Sequence, residues 1–150
     1  MANEMIFGLK AFEKKLDALA DPRLARKVLR AAVTAGMTPV LKSARQKIPR
    51  GTKPHRLYNG QWVSPGYASR SVRKTAAKIE GQSIVSTVGV TGGAFYALFF
   101  ETGASRGKPH SHDTPKRPWL IPALKENEDL AIGAFNAAMF KWLKKVASKK

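Results

Sequence analysis

Apolar residues recur at three- and four-residue steps near both ends of the chain, and this pattern does most to narrow the possible folds. The longest such stretch opens at Asp21-Pro22, and its apolar face runs to Ile48. An aspartate acceptor followed by proline at the first helical position is typical of a helix start. Pro39 lies within the stretch and cannot donate to the preceding turn, so it should kink or restart the helix. The sequence predicts a bent helix that ends before Pro49.

Two further stretches have helical spacing. One covers residues 8–20, and the other begins at Pro122 and keeps its spacing to Val146. In the second, Glu126, Glu128 and Asp129 come early and lysines come late, which suits the helix dipole. We therefore expect helices at both ends of the chain.

The middle of the chain favours strands and loops. Residues 71–77 and 83–90 are rich in β-branched residues and flank the turn signal Glu80-Gly81, so they predict a β-hairpin. Residues 49–69 are rich in Pro, Gly, Asn and Ser without any period, which predicts a long flexible loop, and residues 104–116 predict a second one. The whole pattern indicates a single α+β domain over residues 1–150, with a small antiparallel sheet packed by N-terminal and C-terminal helices and a long basic loop.

The most apolar run is residues 94–100, and it ends at the scarce acid Glu101. It could form a buried strand or two turns of helix, and we favour helix because Ala and Leu are good helix formers and Gly103 suits a helix end. The run is much shorter than the roughly 20 apolar residues that cross a membrane. No membrane association is predicted.

Charge is the second strong feature. Lys and Arg number 27 against 10 acidic residues, a net charge of +17, while 43% hydrophobic residues are too many for a disordered chain. Such an excess attracts nucleic acid or an acidic protein surface. Between Lys42 and Lys78 there is no acidic residue. The candidate interface or DNA contacts in this segment are Arg50, Lys53, Arg56, Arg70, Arg73, Lys74 and Lys78.

Aromatic residues Tyr58, Trp62 and Tyr67 are interleaved with these cations, a mixture typical of proteins that bind single-stranded nucleic acid. No zinc-finger, helix-turn-helix or RNP pattern accompanies them. A basic arm that docks on an acidic protein fits the same residues equally well.

The sequence matches known catalytic and metal-binding motifs poorly. His110, His112 and Asp113 lie close together, but they match no zinc-type spacing. The chain has no cysteine, no GxSxG elbow and no phosphate-binding loop with its lysine. We therefore predict no enzymatic activity, no metal site and no cofactor.

Two motifs in order, AFYALFFETGAS at residues 94–105 and RPWLIPAL at residues 117–124, resemble the small tail-completion or head-tail joining (neck) proteins of long-tailed bacteriophages. The order Thr102-Gly103 inverts the commoner Gly-Thr of that pattern, and Trp119 stands where Phe is usual. The motif residues are Tyr96, Glu101, Gly103, Arg117, Pro118, Trp119 and Pro122.

The resemblance implies a structural virion protein of the neck or tail top, made in the host bacterial cytoplasm. It implies a homo-oligomeric ring between the head connector and the tail tube. The implied partners are other copies of the chain and the connector, tail-terminator or tail-tube proteins, with DNA in the lumen as a further candidate. The alternative is a small basic nucleic-acid-binding protein.

Within this interpretation Glu101 is expected to be a structural anchor. It stands where an apolar element ends and a loop begins, so its carboxylate can accept backbone N–H groups of that loop or pair with Arg117. Either contact would tie the loop to the RPWLIPAL segment.

Overall fold

The computed structural model describes Asp17 and residues 20–104 and 114–148. The predicted helix over residues 8–20 and most of the predicted loop over residues 104–116 lie outside the described residues. The fold is α+β, as predicted. Its elements in chain order are α1 (Pro22–Lys47), β1 (His55–Arg56), β2 (Trp62–Val63), α2 (Tyr67–Ser71), β3 (Val72–Lys74), β4 (Lys78–Glu80), β5 (Ser83–Val85), β6 (Val88–Val90), a 3₁₀ helix (Gly92–Ala97), α3 (Leu98–Thr102), α4 (Leu120–Glu126) and α5 (Glu128–Ser148).

Helix α1 begins as the sequence predicts. The Asp21 side chain accepts a hydrogen bond from the Arg23 backbone N–H at 2.9 Å, and Pro22 takes the first helical position. The helix continues through Pro39 to Lys47, so the predicted restart does not occur. Its buried residues, Val28, Ala32, Gly36, Val40 and Ala44, recur at every fourth position. This stripe packs against α5, α4 and β3, which makes α1 the central element of the described fold.

The predicted hairpin is present over nearly the same residues, with its first arm reaching Glu80 instead of Ala77, but its strand pairing is interrupted. β3 pairs with β6 and β4 pairs with β5, both antiparallel, around a turn at Gly81. Between the two pairs, the Thr87 backbone N–H donates to Thr75 Oγ1 at 3.0 Å, and the Thr75 N–H donates to the Thr87 carbonyl at 2.9 Å. One side-chain bond and one backbone bond therefore carry the hairpin across the gap.

The segment predicted as a loop over residues 49–69 contains regular structure. β1 and β2 form a short antiparallel hairpin, and α2 begins at Tyr67. Leu57 and Val63 are buried, and they fasten this small hairpin to the rest of the molecule. The strands are only two residues long, too short for a periodic pattern to predict them.

Residues 94–101 are helical, as favoured from the sequence, and they form the end of the 3₁₀ helix and most of α3. The predicted single helix from Pro122 to Val146 is wrong, because α4 and α5 are separate. Asn127 ends α4 by donating its backbone N–H to the Leu124 carbonyl at 3.2 Å and its side-chain amide to the Ala123 carbonyl at 2.9 Å. Its own carbonyl then accepts from the Ala131 N–H at 2.8 Å, so Asn127 also opens α5.

The core forms where α1 meets the hairpin, α3 and α4. Trp119 is its largest fully buried side chain. The buried residues of this cluster are Ala44, Ile48, Ala68, Val72, Ala97, Trp119 and Ala123. Many of these side chains are small, so the backbones of the surrounding elements lie close together.

Candidate functional site

Glu101, in α3, holds the start of α4 through three backbone hydrogen bonds. Its Oε2 accepts from the N–H groups of Trp119 at 2.7 Å and Leu120 at 2.8 Å, and its Oε1 accepts from Ile121 at 3.0 Å. The sequence suggested N–H groups of the following loop or Arg117 as partners, whereas the observed donors are backbone N–H groups at the start of α4, beyond that loop. The first N–H groups of a helix have no partner within the helix, and α4 has no side-chain cap of its own. Glu101 therefore caps α4 from a different element.

The electrostatics of this contact favour a charged carboxylate. Burial would raise the pKa of Glu101, but the backbone N–H groups of Leu120, Trp119 and Ile121 and the nearby Lys116 outweigh it and hold the pKa below its usual value. The N-terminal end of the α4 dipole acts in the same direction. Glu101 is 9% exposed, so these bonds are sheltered from water.

The chain between α3 and α4 is fixed at its base. Gly103 has φ of 76° and ψ of 157°, a conformation that only glycine adopts readily, and it ends α3 as the sequence predicted. Ala104 and Thr114 then pair as an antiparallel bridge, with N–H to carbonyl distances of 3.1 and 2.9 Å. Next, the Arg117 backbone N–H donates to the Phe100 carbonyl at 2.7 Å. These bonds hold Arg117 beside α3.

Trp119 joins the two motifs through the core. Its indole Nε1–H donates to the Ala97 carbonyl at 2.9 Å, and the side chain is fully buried. Pro118 precedes it outside any helix or strand, and Pro122 lies in the first turn of α4. The structure thus brings Tyr96, Glu101, Gly103, Arg117 and the RPWLIPAL segment together around one junction of α3 and α4.

A cavity of about 350 Å³ opens beside this junction. Its walls combine apolar groups from Phe100 and Tyr67 with the cations of Arg50 and Arg117. Tyr96 also lines it, and its hydroxyl lies 3.1 Å from His55 Nε2, with the two rings packed edge to face. Burial, and then the neighbouring Tyr67, raise the pKa of Tyr96, so its phenol stays protonated at neutral pH. Sequence reasoning did not find this cavity, because its residues come from distant parts of the chain.

Exposed aromatic side chains form a separate surface, which we call the aromatic cluster: Tyr58, Phe95 and Phe99. The ring centroids of Tyr58 and Phe95 are 5.2 Å apart, and those of Phe95 and Phe99 are 6.1 Å apart, both with edge-to-face geometry. Tyr58 is 79% exposed. Exposed aromatic residues that contact one another are typical of interaction surfaces.

The predicted basic contacts do not form one uniform patch. Arg50 and Arg70 line the same small cavity of about 310 Å³. Arg56 and Arg70 donate to nearby carbonyls, and Lys74 donates to the Thr34 carbonyl at 2.8 Å and to Thr38 Oγ1 at 2.6 Å. The side chains of Lys53, Arg73 and Lys78 are exposed. Lys74 therefore belongs to the junction between the hairpin and α1.

That junction was not predicted. Arg30 Nε donates to the Ala77 carbonyl at 2.8 Å, and the Ala77 N–H donates to Thr34 Oγ1 at 3.0 Å. Arg45 donates to the Val72 carbonyl through two nitrogens, at 3.1 and 2.9 Å. No local pattern could indicate these bonds, since each joins residues far apart in the sequence.

His110, His112 and Asp113 lie outside the described residues. Within residues 20–104 and 114–148, no group of three His, Cys, Asp or Glu side chains is arranged to hold a metal ion. No helix in the described part of the chain is long and apolar enough to cross a membrane.

Comparison with known proteins gives one match. A family model described as "Bacteriophage HK97-gp10, putative tail-component" matches residues 10–103, which is more than half of the chain. The match ends at Gly103 and so includes Tyr96 and Glu101 but not the RPWLIPAL segment. No curated protein and no solved structure shows significant similarity to the chain.

Proposed function

The chain belongs to the HK97-gp10-like family of bacteriophage tail components, and we propose that it is a ring-forming subunit of the phage neck or tail top. A structural role in the phage tail, and hence a place in the virion among other phage proteins, follows from the family. The ring and the joining of the head connector to the tail tube are the proposed refinement. A structural rather than a catalytic role is part of this proposal.

The observation that carries the proposal is the apolar surface that α4 and α5 leave exposed. Leu130 and Phe140 on α5 are 61% and 64% exposed, and Ile121 and Leu124 on α4 are 54% and 50% exposed. Monomeric proteins rarely expose so many large apolar side chains on neighbouring elements, and such surfaces are typical of protein interfaces. The aromatic cluster lies on other elements, the β1–β2 hairpin, the 3₁₀ helix and α3.

Two apolar surfaces on different elements suit a ring. In a head-to-tail ring each subunit contacts its neighbours through two different patches, whereas a symmetric dimer uses one patch twice. We propose that the α4–α5 surface and the aromatic cluster are the two patches. The exposed basic residues Arg73 of β3 and Lys78 of β4 then remain available for a neighbouring tail protein or for DNA in the lumen.

The test is the mass of the purified protein in solution, measured by light scattering at low and at high salt, alone and with a short DNA duplex. We expect a closed oligomer that persists at high salt without DNA, because apolar contacts are weakly screened. A monomer that binds DNA tightly only at low salt would overturn the ring in favour of the nucleic-acid alternative, since phosphate contacts weaken steeply with salt. A monomer that ignores DNA would also contradict a ring formed by this chain alone.

A further inference from the structure

The 350 Å³ cavity beside Tyr96 is lined by residues suited to a ligand that carries both an anionic group and an apolar group. Three elements and the chain before α4 converge on it: the β1 residue His55, the α2 residue Tyr67, the 3₁₀-helix residue Tyr96, and Arg117. Phe100 adds an apolar wall from α3. Pockets that combine apolar walls with a few convergent polar groups are the usual form of ligand sites in proteins.

Within residues 20–104 and 114–148, no acidic side chain lines the cavity beside its two arginines. The nearest carboxylate of the junction, Glu101, accepts three hydrogen bonds from the start of α4. Arg50 gives one nitrogen to the Arg45 carbonyl at 3.1 Å, and a guanidinium has further N–H donors that remain for a ligand.

The backbone around the cavity is held in place before any ligand arrives. Arg117 is fixed through its backbone N–H to the Phe100 carbonyl at 2.7 Å. His55 and Tyr96 hold each other at 3.1 Å. When His55 Nε2 carries the hydrogen and donates to the Tyr96 oxygen, the Tyr96 hydroxyl is left to donate to a ligand. A preorganised site of this kind loses less entropy on binding than a flexible one.

The concave shape of the cavity and its arginine side chains favour a carboxylate as the ligand over DNA. Both cations of the cavity are arginines, whose planar guanidinium matches the two oxygens of a carboxylate. A side chain can enter a concave space of this size, whereas a DNA duplex presents its phosphates on a wide convex surface. The neighbouring 310 Å³ cavity shares Arg50 and Gly66 and adds Arg70, which gives an adjoining peptide segment further room.

We propose that this cavity is the docking site for an acidic segment of another tail protein, whose side-chain carboxylate binds Arg50 and Arg117 while an adjacent apolar side chain packs on Phe100. The identity of the partner as a tail protein rests on the proposed function, but the recognition of an acidic segment does not require the ring.

The probe is a pair of capped peptides, Ac-Gly-Glu-Phe-Gly-amide and its Gln counterpart, titrated into ¹⁵N- and ¹³C-labelled protein and followed by the NMR signals of His55 and Tyr96. We expect the Glu peptide to bind at least about tenfold more tightly than the Gln peptide, since one charge-assisted hydrogen bond is typically worth that factor. Arg117→Ala and Arg50→Ala should each reduce binding of the Glu peptide by several-fold. Arg73→Ala, which removes an exposed arginine outside the cavity, is the matched control and should change it little.

Thermal unfolding of each variant shows whether it is folded. Arg117→Lys is a second variant, which keeps the positive charge but lacks the planar guanidinium group. Equal binding of the two peptides would overturn the proposal, as would an equal loss from Arg73→Ala. If inorganic phosphate or a short DNA duplex shifted the same signals while the Glu peptide did not, the site would bind phosphate and not a carboxylate segment. Peptide binding by a protein that stays monomeric would support the cavity while contradicting the ring.

Discussion

At the scale of single residues, Glu101 performs a task that helix-capping side chains normally perform from the adjacent position. Trp119 occupies the N-cap position of α4 and offers no side-chain acceptor, because an indole carries only an N–H donor, which here binds the Ala97 carbonyl. A carboxylate from α3 takes over and satisfies three N–H groups at once. The arrangement lets a large apolar side chain stand at a helix start without leaving orphan donors in the core.

We predict that Glu101→Gln lowers the free energy of unfolding by about 1–3 kcal/mol, the cost typical of leaving a buried donor without an acceptor. The glutamine amide has one acceptor oxygen, and its NH₂ group would face the N–H groups of α4. Chemical denaturation of both proteins measures the difference. Glu80→Gln, at an exposed position of β4, is the control and should change stability by less than about 0.5 kcal/mol. An unchanged Glu101→Gln variant would refute the anchor.

The pKa of Glu101 gives a separate prediction. A carboxyl whose folded-state pKa is depressed stabilises the fold above its unfolded-state pKa, near the ordinary value of 4.5, and this contribution disappears as the pH falls through the lower folded-state pKa. The wild type should therefore lose stability below about pH 4.5 more steeply than Glu101→Gln. Thermal melts from pH 7 to pH 3 make the comparison. Parallel pH profiles would contradict it.

The residues around Glu101 and the cavity show which parts of this site the sequence can predict. A scarce acid at the end of an apolar run, followed by a second apolar motif, was enough to predict an anchor at Glu101. It could not separate backbone N–H groups from Arg117 as the partner, because that choice depends on the angle between α3 and α4. The contact between His55 and Tyr96 had no local signal, since the two residues are 41 positions apart.

At the scale of elements, the contact between α1 and α5 depends on Gly36. A Cβ added at this position would lie 3.0 Å from the Ala131 carbonyl oxygen and 3.5 Å from the Phe135 Cβ. Gly133, on α5, has nothing within 4 Å of the same added atom. Both glycines are inside helices, where alanine is favoured by up to about 1 kcal/mol. The two positions therefore form a matched pair with opposite steric surroundings.

We predict that Gly133→Ala stabilises the protein by up to about 1 kcal/mol, the difference in helix propensity. Gly36→Ala should destabilise it, because the Ala131 oxygen belongs to backbone and can move only if α5 moves as a whole. Denaturant midpoints at constant slope measure both effects. Equal stabilisation by the two substitutions would show that α1 and α5 pack less closely than described.

The hairpin gives a second matched pair, in which neighbouring cations of β3 have different roles. Lys74 donates to Thr34 and Thr38 of α1, whereas Arg73 is exposed. Lys74→Met should lower stability by about 1 kcal/mol, the usual net value of such bonds, and Arg73→Met should have little effect. Thermal unfolding distinguishes them. If both substitutions cost the same, the Lys74 contacts do not stabilise the junction.

Element boundaries show where periodicity is a sufficient guide. The local capping signal of Asp21 and Pro22 predicted the start of α1. Apolar periodicity missed the break between α4 and α5, because apolar spacing continues across Asn127 while the chain itself turns there. It also missed the β1–β2 hairpin, whose strands are held by the burial of Leu57 and Val63 and not by an alternating pattern. Local hydrogen bonds of Asn127 decided the first of these two misses, and burial of side chains decided the second.

At the scale of the whole molecule, the basic segment of residues 49–78 and the exposed apolar side chains of α4 and α5 lie on different elements, although α5 also exposes Lys141, Lys144 and Lys145. The exposed cations Lys53, Arg73 and Lys78 lie on the segment between α1 and β4, while α4 and α5 present Leu124, Leu130 and Phe140. Like charges on neighbouring subunits would repel one another, so an assembly of this protein with itself needs contacts of another kind. The apolar side chains of α4 and α5 can supply them.

We predict that Leu130→Gln together with Phe140→Gln reduces the oligomer to monomers without unfolding it. Both side chains are more than half exposed, so replacing them costs the folded subunit little, whereas an interface would lose about 1–3 kcal/mol for each apolar side chain that it buries. Glutamine keeps the net charge unchanged, which excludes repulsion as the cause. Ile79→Gln, at a 44% exposed apolar residue on β4, is the control and should leave the mass unaltered. Light scattering at high salt, with circular dichroism to verify folding, measures the result. If the double variant kept the mass of the wild type, Leu130 and Phe140 would not lie in the interface between subunits, and the proposed contact through α5 would be refuted.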